Sequence, residues 1–252
     1  MTADPTALPA FALYPGRRRE LLLLCDHASN ALPPELGTLG LDDAALAQHV
    51  AIDIGAAGIT RALAQALDCP AIFGCWSRLV VDLNRAPERH DLIVVENDGI
   101  AVPGNDALDV AERARRIERY HRPYHQAIAA HLQSLEADAV TPALVAVHSF
   151  TPVFQGTVRP WQVGVVWQVA APWLRPLIDA LRAQGLHVGD NEPYDGHYAM
   201  GHTLERHGVE AGRRHIMFEV RQDLAVTPGQ QQAWADRLLR ALRESGFLGS
   251  ID

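Results

Sequence analysis

Two histidines stand at the ends of apolar runs: His27 follows Leu21–Cys25 and Asp26, and His148 follows directly on Ala143–Val147. A third run, Ile216–Phe218, leads straight into Glu219, and a fourth, Leu79–Val81, leads into Asp82, Asn84 and Arg85. Apolar runs of this length read as buried strands, and open α/β sheets bind ligands outside the carboxyl ends of their strands. Four strand ends are therefore expected to deliver His27, His148, Glu219 and Arg85 to one edge. Two imidazoles and a carboxylate match a catalytic zinc site, in which three protein ligands leave one position for water. The blander alternative is that each His caps a strand or bonds a loop carbonyl.

Asp53 falls within a predicted helix, Asp42–Leu67, with Asp42 or Asp43 as N-cap. Val50 and Ala57 place it on the apolar stripe, where a carboxylate is costly unless a cation or donors meet it. Gly55 and Gly58 allow close backbone approach, for a buried site or for tight helix packing. Arg78 opens the run that ends in Asn84 and Arg85. The Arg85 guanidinium is a forked donor suited to a carboxylate, and Asn84 bonds a carboxylate or an amide, while a salt bridge from Arg85 to Asp82 or a loop acid is the alternative. His121 and His125 form a rival metal pair at i and i+4. No Glu follows the first His as HExxH requires, and Arg122 and Pro123 follow it instead, which favours packing or hydrogen bonding. The turn-rich stretch 189–196 carries Glu192 and Tyr194 and either is a plain loop or covers a site.

The elements that must position these residues follow from periodicity. Strands are expected at Leu21–Cys25, Ala71–Gly74, Arg78–Leu83, Ala143–His148, Gln162–Gln168 and Ile216–Arg221, and helices at Asp42–Leu67, Ala107–Leu135, Trp173–Gln184, Tyr198–His207 and Pro228–Ser245. Short apolar runs alternating with amphipathic stretches predict one α/β domain over residues 1–252: three layers, α/β/α, around a mixed, mainly parallel sheet. Residues 86–106 are rich in Pro, Asn, Asp and Gly and read as a long excursion of the kind that serves a site.

Composition excludes several classes. The chain has 22 basic against 30 acidic side chains, a net charge of −8, and no basic stripe, so no nucleic-acid partner is expected. Every basic residue is Arg; without Lys there is no pyridoxal Schiff base, no lysine aldolase and no complete GxxxxGK[ST] loop. Cys25, Cys69 and Cys75 read as reduced thiols, and neither a signal peptide nor a membrane span is expected, which together predict a cytoplasmic protein.

Seven blocks in order, CDHASN (25–30), DIGA (53–56), SRLVVDLNR (77–85), RPYH (122–125), HSFTP (148–152), DNEPY (190–194) and FEVRQDL (218–224), resemble the N-formylglutamate amidohydrolase family. The family is similar in fold to zinc carboxypeptidases, which implies one zinc ion per chain. The resemblance further implies His27 and His148 as zinc ligands, Glu219 as general base, and Asn84 with Arg85 as the clamp for a substrate carboxylate. Zinc carboxypeptidases carry their acidic ligand three residues after the first His; here that position is Asn30, so the acidic ligand is assigned to Asp53. The implied reaction is hydrolysis of a small N-acyl amino acid, N-formyl-L-glutamate foremost, with Arg78 or Arg221 available for a second carboxylate. A metallo-amidase or peptidase of another acidic acyl amino acid, and a carboxylate-binding domain without catalysis, are the alternatives.

Overall fold

The computed structural model describes residues 8–249. In chain order the elements are β1 (Phe11–Tyr14), β2 (Leu21–Cys25), α1 (Asp43–Leu46), α2 (Ala56–Leu67), β3 (Ala71–Gly74), the small hairpin β4 (Glu96–Asn97) and β5 (Ile100–Ala101), α3 (Val110–Arg116) and α4 (Arg122–Ala137). They continue with β6 (Ala143–Phe150), the hairpin β7 (Val153–Phe154) and β8 (Thr157–Val158), β9 (Val163–Val166), α5 (Leu174–Arg182), β10 (Val188–Asp190), α6 (His202–Leu204), β11 (His215–Arg221) and α7 (Pro228–Glu244). Seven strands form one sheet in the order β1-β3-β2-β6-β11-β9-β10. Only the β1–β3 and β11–β9 neighbours run antiparallel, so the sheet is mixed and mainly parallel, as the sequence pattern predicts.

Period-two alternation splits the core into two faces. Leu21, Leu23, Val145, Val147, Phe218 and Val220 pack against α2, α5 and α7, whose apolar stripes they bury. Leu22, Leu24, Leu144, Ala146 and Met217 face the other way, onto Tyr124, Ile128 and Leu132 of α4 and the segment around Leu83 and Leu92. His148 continues the 144/146 face and Glu219 the 217 face. Both therefore emerge on the α4 side, where β6 and β11 run out.

Three expectations are corrected. Arg78–Leu83 is not a strand, although Leu79, Val80, Val81 and Leu83 are buried. Side chains take the place of a strand neighbour: Asn105 donates to the Leu79 carbonyl, Arg116 to Val80, His125 to Leu83 and His121 to Arg85. Arg85 thus reaches the site from a buried turn rather than a strand end. The helix expected over Asp42–Leu67 is broken between α1 and α2. Asp42 caps α1 by accepting from the Ala45 amide, and Gly55 then holds φ at +85°, with the Ala225 carbonyl so close that any side chain there would collide. Tyr198–His207 shortens to α6 followed by a π-helical turn, Glu205–Val209. The short outer strands β1 and β10 carry no strong pattern and are found only in the structure.

Candidate active site

The break between α1 and α2 places Asp53 in a loop instead of on a helical stripe. Its amide donates to the His27 carbonyl at 3.1 Å, which ties it to the chain leaving β2. Asp53 Oδ2 lies 3.2 Å from His27 Nδ1 and 2.8 Å from His148 Nδ1, so both rings converge on one oxygen. Their outer nitrogens meet other carboxylates: His27 Nε2 bonds Asp82 Oδ1 at 2.7 Å, and His148 Nε2 sits 3.1 Å from Asp26 Oδ2, at ion-pair distance but off the hydrogen-bond line. Asp26 is itself fixed by the hydroxyls of Tyr124 and Thr203, which donate to its Oδ1 at 2.7 and 2.8 Å. Arg78 bridges the system, reaching Asp53 Oδ1 at 3.3 Å and Asp82 Oδ2 at 2.7 Å.

This donor set fits a metal ion. Ring nitrogens of His27 and His148 and an oxygen of Asp53 lie within 4.8 Å of one another, and all three residues are buried. Metal-ligating imidazoles characteristically pass their second N–H to a carboxylate, the part that Asp82 and Asp26 are placed to play. Burial disfavours a charged His148, yet Asp26 and Asp53 outweigh it and hold the imidazole well above its ordinary pKa. His27 is raised in the same way, with burial and Arg78 opposing and Asp82 and Asp53 prevailing. Asp53 lies well below the usual carboxylate range, because the two rings overcome its burial.

Glu219 stands beside His148 on the neighbouring strand. The β6–β11 register pairs it with His148, and the β11–β9 register pairs it with Gly164, where a side chain would strike the Glu192 carbonyl and crowd the Glu219 side chain. Burial pushes Glu219 up to about 7, with His148 pulling the other way, and its Oε2 has no hydrogen-bond partner among the described residues. A buried carboxyl with a free oxygen and a pKa near neutrality is suited to taking and returning a proton.

A cavity of about 610 Å³ opens over these groups. It brings together His27, Asp53, Arg78, Asn84, Arg85, His148, Tyr194 and Glu219. Arg85 is held by Asp82 at 3.4 Å and Asp91 at 2.9 Å. Arg221 is not brought there: it lies outside the cavity lining, its guanidinium held by Asp223 at 2.8 Å and by the Pro160 carbonyl at 3.4 Å. Asn30 is exposed and donates to the Leu46 carbonyl, so Asp53 and not Asn30 meets the two rings. Glu192 is exposed, and the cavity lining does not include it.

Sequence reasoning missed His49, Ser149 and the pairing roles of Asp26 and Asp82. Asp26 directly precedes His27, and His49 stands four residues before Asp53, with its Nδ1 3.5 Å from Asp53 Oδ1. Both signals were readable. His121 and His125 hold the backbone behind the clamp, and with His202 they form a second group of nearby ring nitrogens, of which His202 alone lines the cavity.

The fold and the His–Asp–His group with an adjacent glutamate fit a hydrolase with a metal site. Residues 19–226 match the model of the N-formylglutamate amidohydrolase family, and the chain belongs to that family. Among solved structures it is similar to the gene product Atu2144 from Agrobacterium tumefaciens, at 31% identity over 94% of each chain with a TM-score of 0.89. It shares its fold with the N-formylglutamate amidohydrolase from Ralstonia eutropha JMP134, at 21% identity over 94% of this chain and 97% of that one, TM-score 0.59. No curated protein matches the chain. No helix among the described residues is long and apolar enough to cross a membrane.

Proposed function

We propose that the chain is a zinc-dependent amidohydrolase that cleaves N-formyl-L-glutamate to formate and L-glutamate. The observation that carries this reading is the convergence of His27 and His148 on Asp53, with Glu219 paired to His148 on the neighbouring strand. A zinc ion held by those three residues supplies Lewis acidity toward the acyl oxygen and acidifies water toward a pKa of about 7. Glu219 accepts the proton of the attacking water at its free Oε2 and returns it to the nitrogen that leaves as the glutamate amine. Asp82 and Asp26 keep the two imidazoles oriented. Asn84 and Arg85 supply amide and guanidinium donors for a carboxylate of the substrate. Tyr194 stands over the cavity with its hydroxyl protonated, since burial and nearby Glu219 both raise its pKa.

The test is formate release from N-formyl-L-glutamate by the zinc-supplemented protein, set beside metal analysis. Expected are about one zinc per chain and turnover that chelation abolishes and zinc restores. A zinc-loaded protein that leaves N-formyl-L-glutamate intact overturns the substrate, and one that takes up no zinc overturns the chemistry.

A further inference from the structure

The arginines lining the cavity are each paired with a carboxylate, Arg85 keeping only its Nη2 without an acceptor among the described residues. Arg78 is shared by Asp53 and Asp82, Arg85 by Asp82 and Asp91, and Arg89 is held by Asp91. Arg159 differs. It follows the β7–β8 hairpin, is only 9% exposed, and has no carboxylate within 4.0 Å among the described residues. Aromatic faces surround it instead: its guanidinium carbon lies 4.6 Å from the Phe154 ring centre, 5.1 Å from Tyr194 and 6.0 Å from Phe150. Phe154 and Tyr194 both line the cavity, so the cation sits directly behind two rings of its wall.

Burying a guanidinium without an anion is costly, and aromatic faces repay part of that cost only. Contact with ring faces also leaves the in-plane N–H donors of the fork available. The polar contacts of Arg159 are two long ones from Nη1, each 3.4 Å, to the hydroxyls of Thr151 and Tyr194. Nε and Nη2 donate to no acceptor among the described residues, and neither is sealed from solvent. An unpaired, preoriented fork beside the cavity is a site for a carboxylate.

We infer that Arg159 binds the side-chain carboxylate of a dicarboxylic acyl amino acid, while Asn84 and Arg85 hold the other. This deepens the proposed function and rests on it for the identity of the substrate. Tyr194 joins the two ends of the site, since its ring touches Arg159 and its hydroxyl lies within the electrostatic reach of Glu219.

The test compares Arg159→Gln and Arg159→Lys with the zinc-loaded wild type on N-formyl-L-glutamate and on N-formyl-L-glutamine, which lacks the side-chain charge. Loss of a desolvated charge pair should lower kcat/KM for the acid by about 30-fold or more in Arg159→Gln. The amide should lose under about 3-fold by the same reasoning. Arg159→Lys keeps the charge and loses the fork, so it should fall between. Calorimetric titration with glutarate and with butyrate reads the subsite without turnover, so it reports on Arg159 even if N-formylglutamate is not a substrate. Glutarate binding should weaken at least as much in Arg159→Gln, with butyrate little changed. Equal losses for acid and amide, equal weakening for glutarate and butyrate, or no glutarate binding to the wild type would each overturn the assignment.

Discussion

Two groups of histidines, all buried but the half-buried His202, lie on the same side of the sheet, and their surroundings set them to opposite states. His27 and His148 are enclosed by Asp26, Asp53 and Asp82, and the carboxylates favour a positive centre at the rings. His121, His125, His202 and His207 face one another and two backbone carbonyls, with ring centres 4.4 to 5.5 Å apart. Burial, followed by the neighbouring rings, drives His125 well below its ordinary pKa, and burial with Arg206 brings His207 down to about 4. The same side chain thus serves as a cation site where acids surround it and as a neutral brace where they do not.

The largest expected effect separates the two groups by metal content. Replacing His27 or His148 with Ala should drop bound zinc from about one per chain toward zero and remove hydrolysis with it. His121→Ala and His202→Ala should keep the zinc, and loss of metal in those variants would show that the second group is also a metal site. Somewhat smaller is Glu219→Gln, which keeps shape and metal but removes the proton acceptor. Turnover should fall on the order of 10² to 10⁴ fold with zinc unchanged. Near-normal turnover would move the base elsewhere.

The smallest effect is on stability, and its sign distinguishes the groups. His207 titrates at about 4 in the fold and near 6.5 when free, so between those values the unfolded chain binds more protons and stability falls as pH drops. Urea unfolding of the metal-free protein should show this loss, on the order of 3 kcal/mol from His207, and His207→Gln should flatten it. His27 and His148 act in the opposite sense. Their raised pKa values stabilise the metal-free fold fully below pH 6.5, and that contribution is lost as pH rises through the folded values. A His207→Gln protein with an unchanged acid slope would contradict the neutral reading of the second group.

Much of this was legible in the residues. The β2, β3, β6 and β11 segments are continuous apolar runs, and buried parallel strands read that way. His27, His148 and Glu219 could be placed because each follows such a run. Asp53 is buried beside the two histidines, as a carboxylate among apolar neighbours suggests, but in a loop and not on the helix the periodicity predicts. Its helix breaks at Gly55, whose positive φ answers to Ala225, a residue far away in sequence. Arg78–Leu83 misled because a buried loop is as apolar as a strand when side chains satisfy its carbonyls. Arg159 was invisible for the opposite reason, since a missing partner leaves no mark on a sequence.

The rung shared by Glu219 and His148 has a consequence for descent. Spacing between Glu219 and His148, proposed as the proton-moving group and a holder of the cation, is set by main-chain bonds of neighbouring strands, a lattice constant of about 4.8 Å, and side-chain exchange nearby leaves it alone. The rest of the cavity wall comes from elsewhere, from the turn at 84–91, Phe154 of the β7–β8 hairpin and the loop at 193–201. On the proposed reading, reaction and recognition therefore occupy separate parts of the chain, and rewriting the loops would exchange one clientele for another while the Glu219–His148 spacing stays in place.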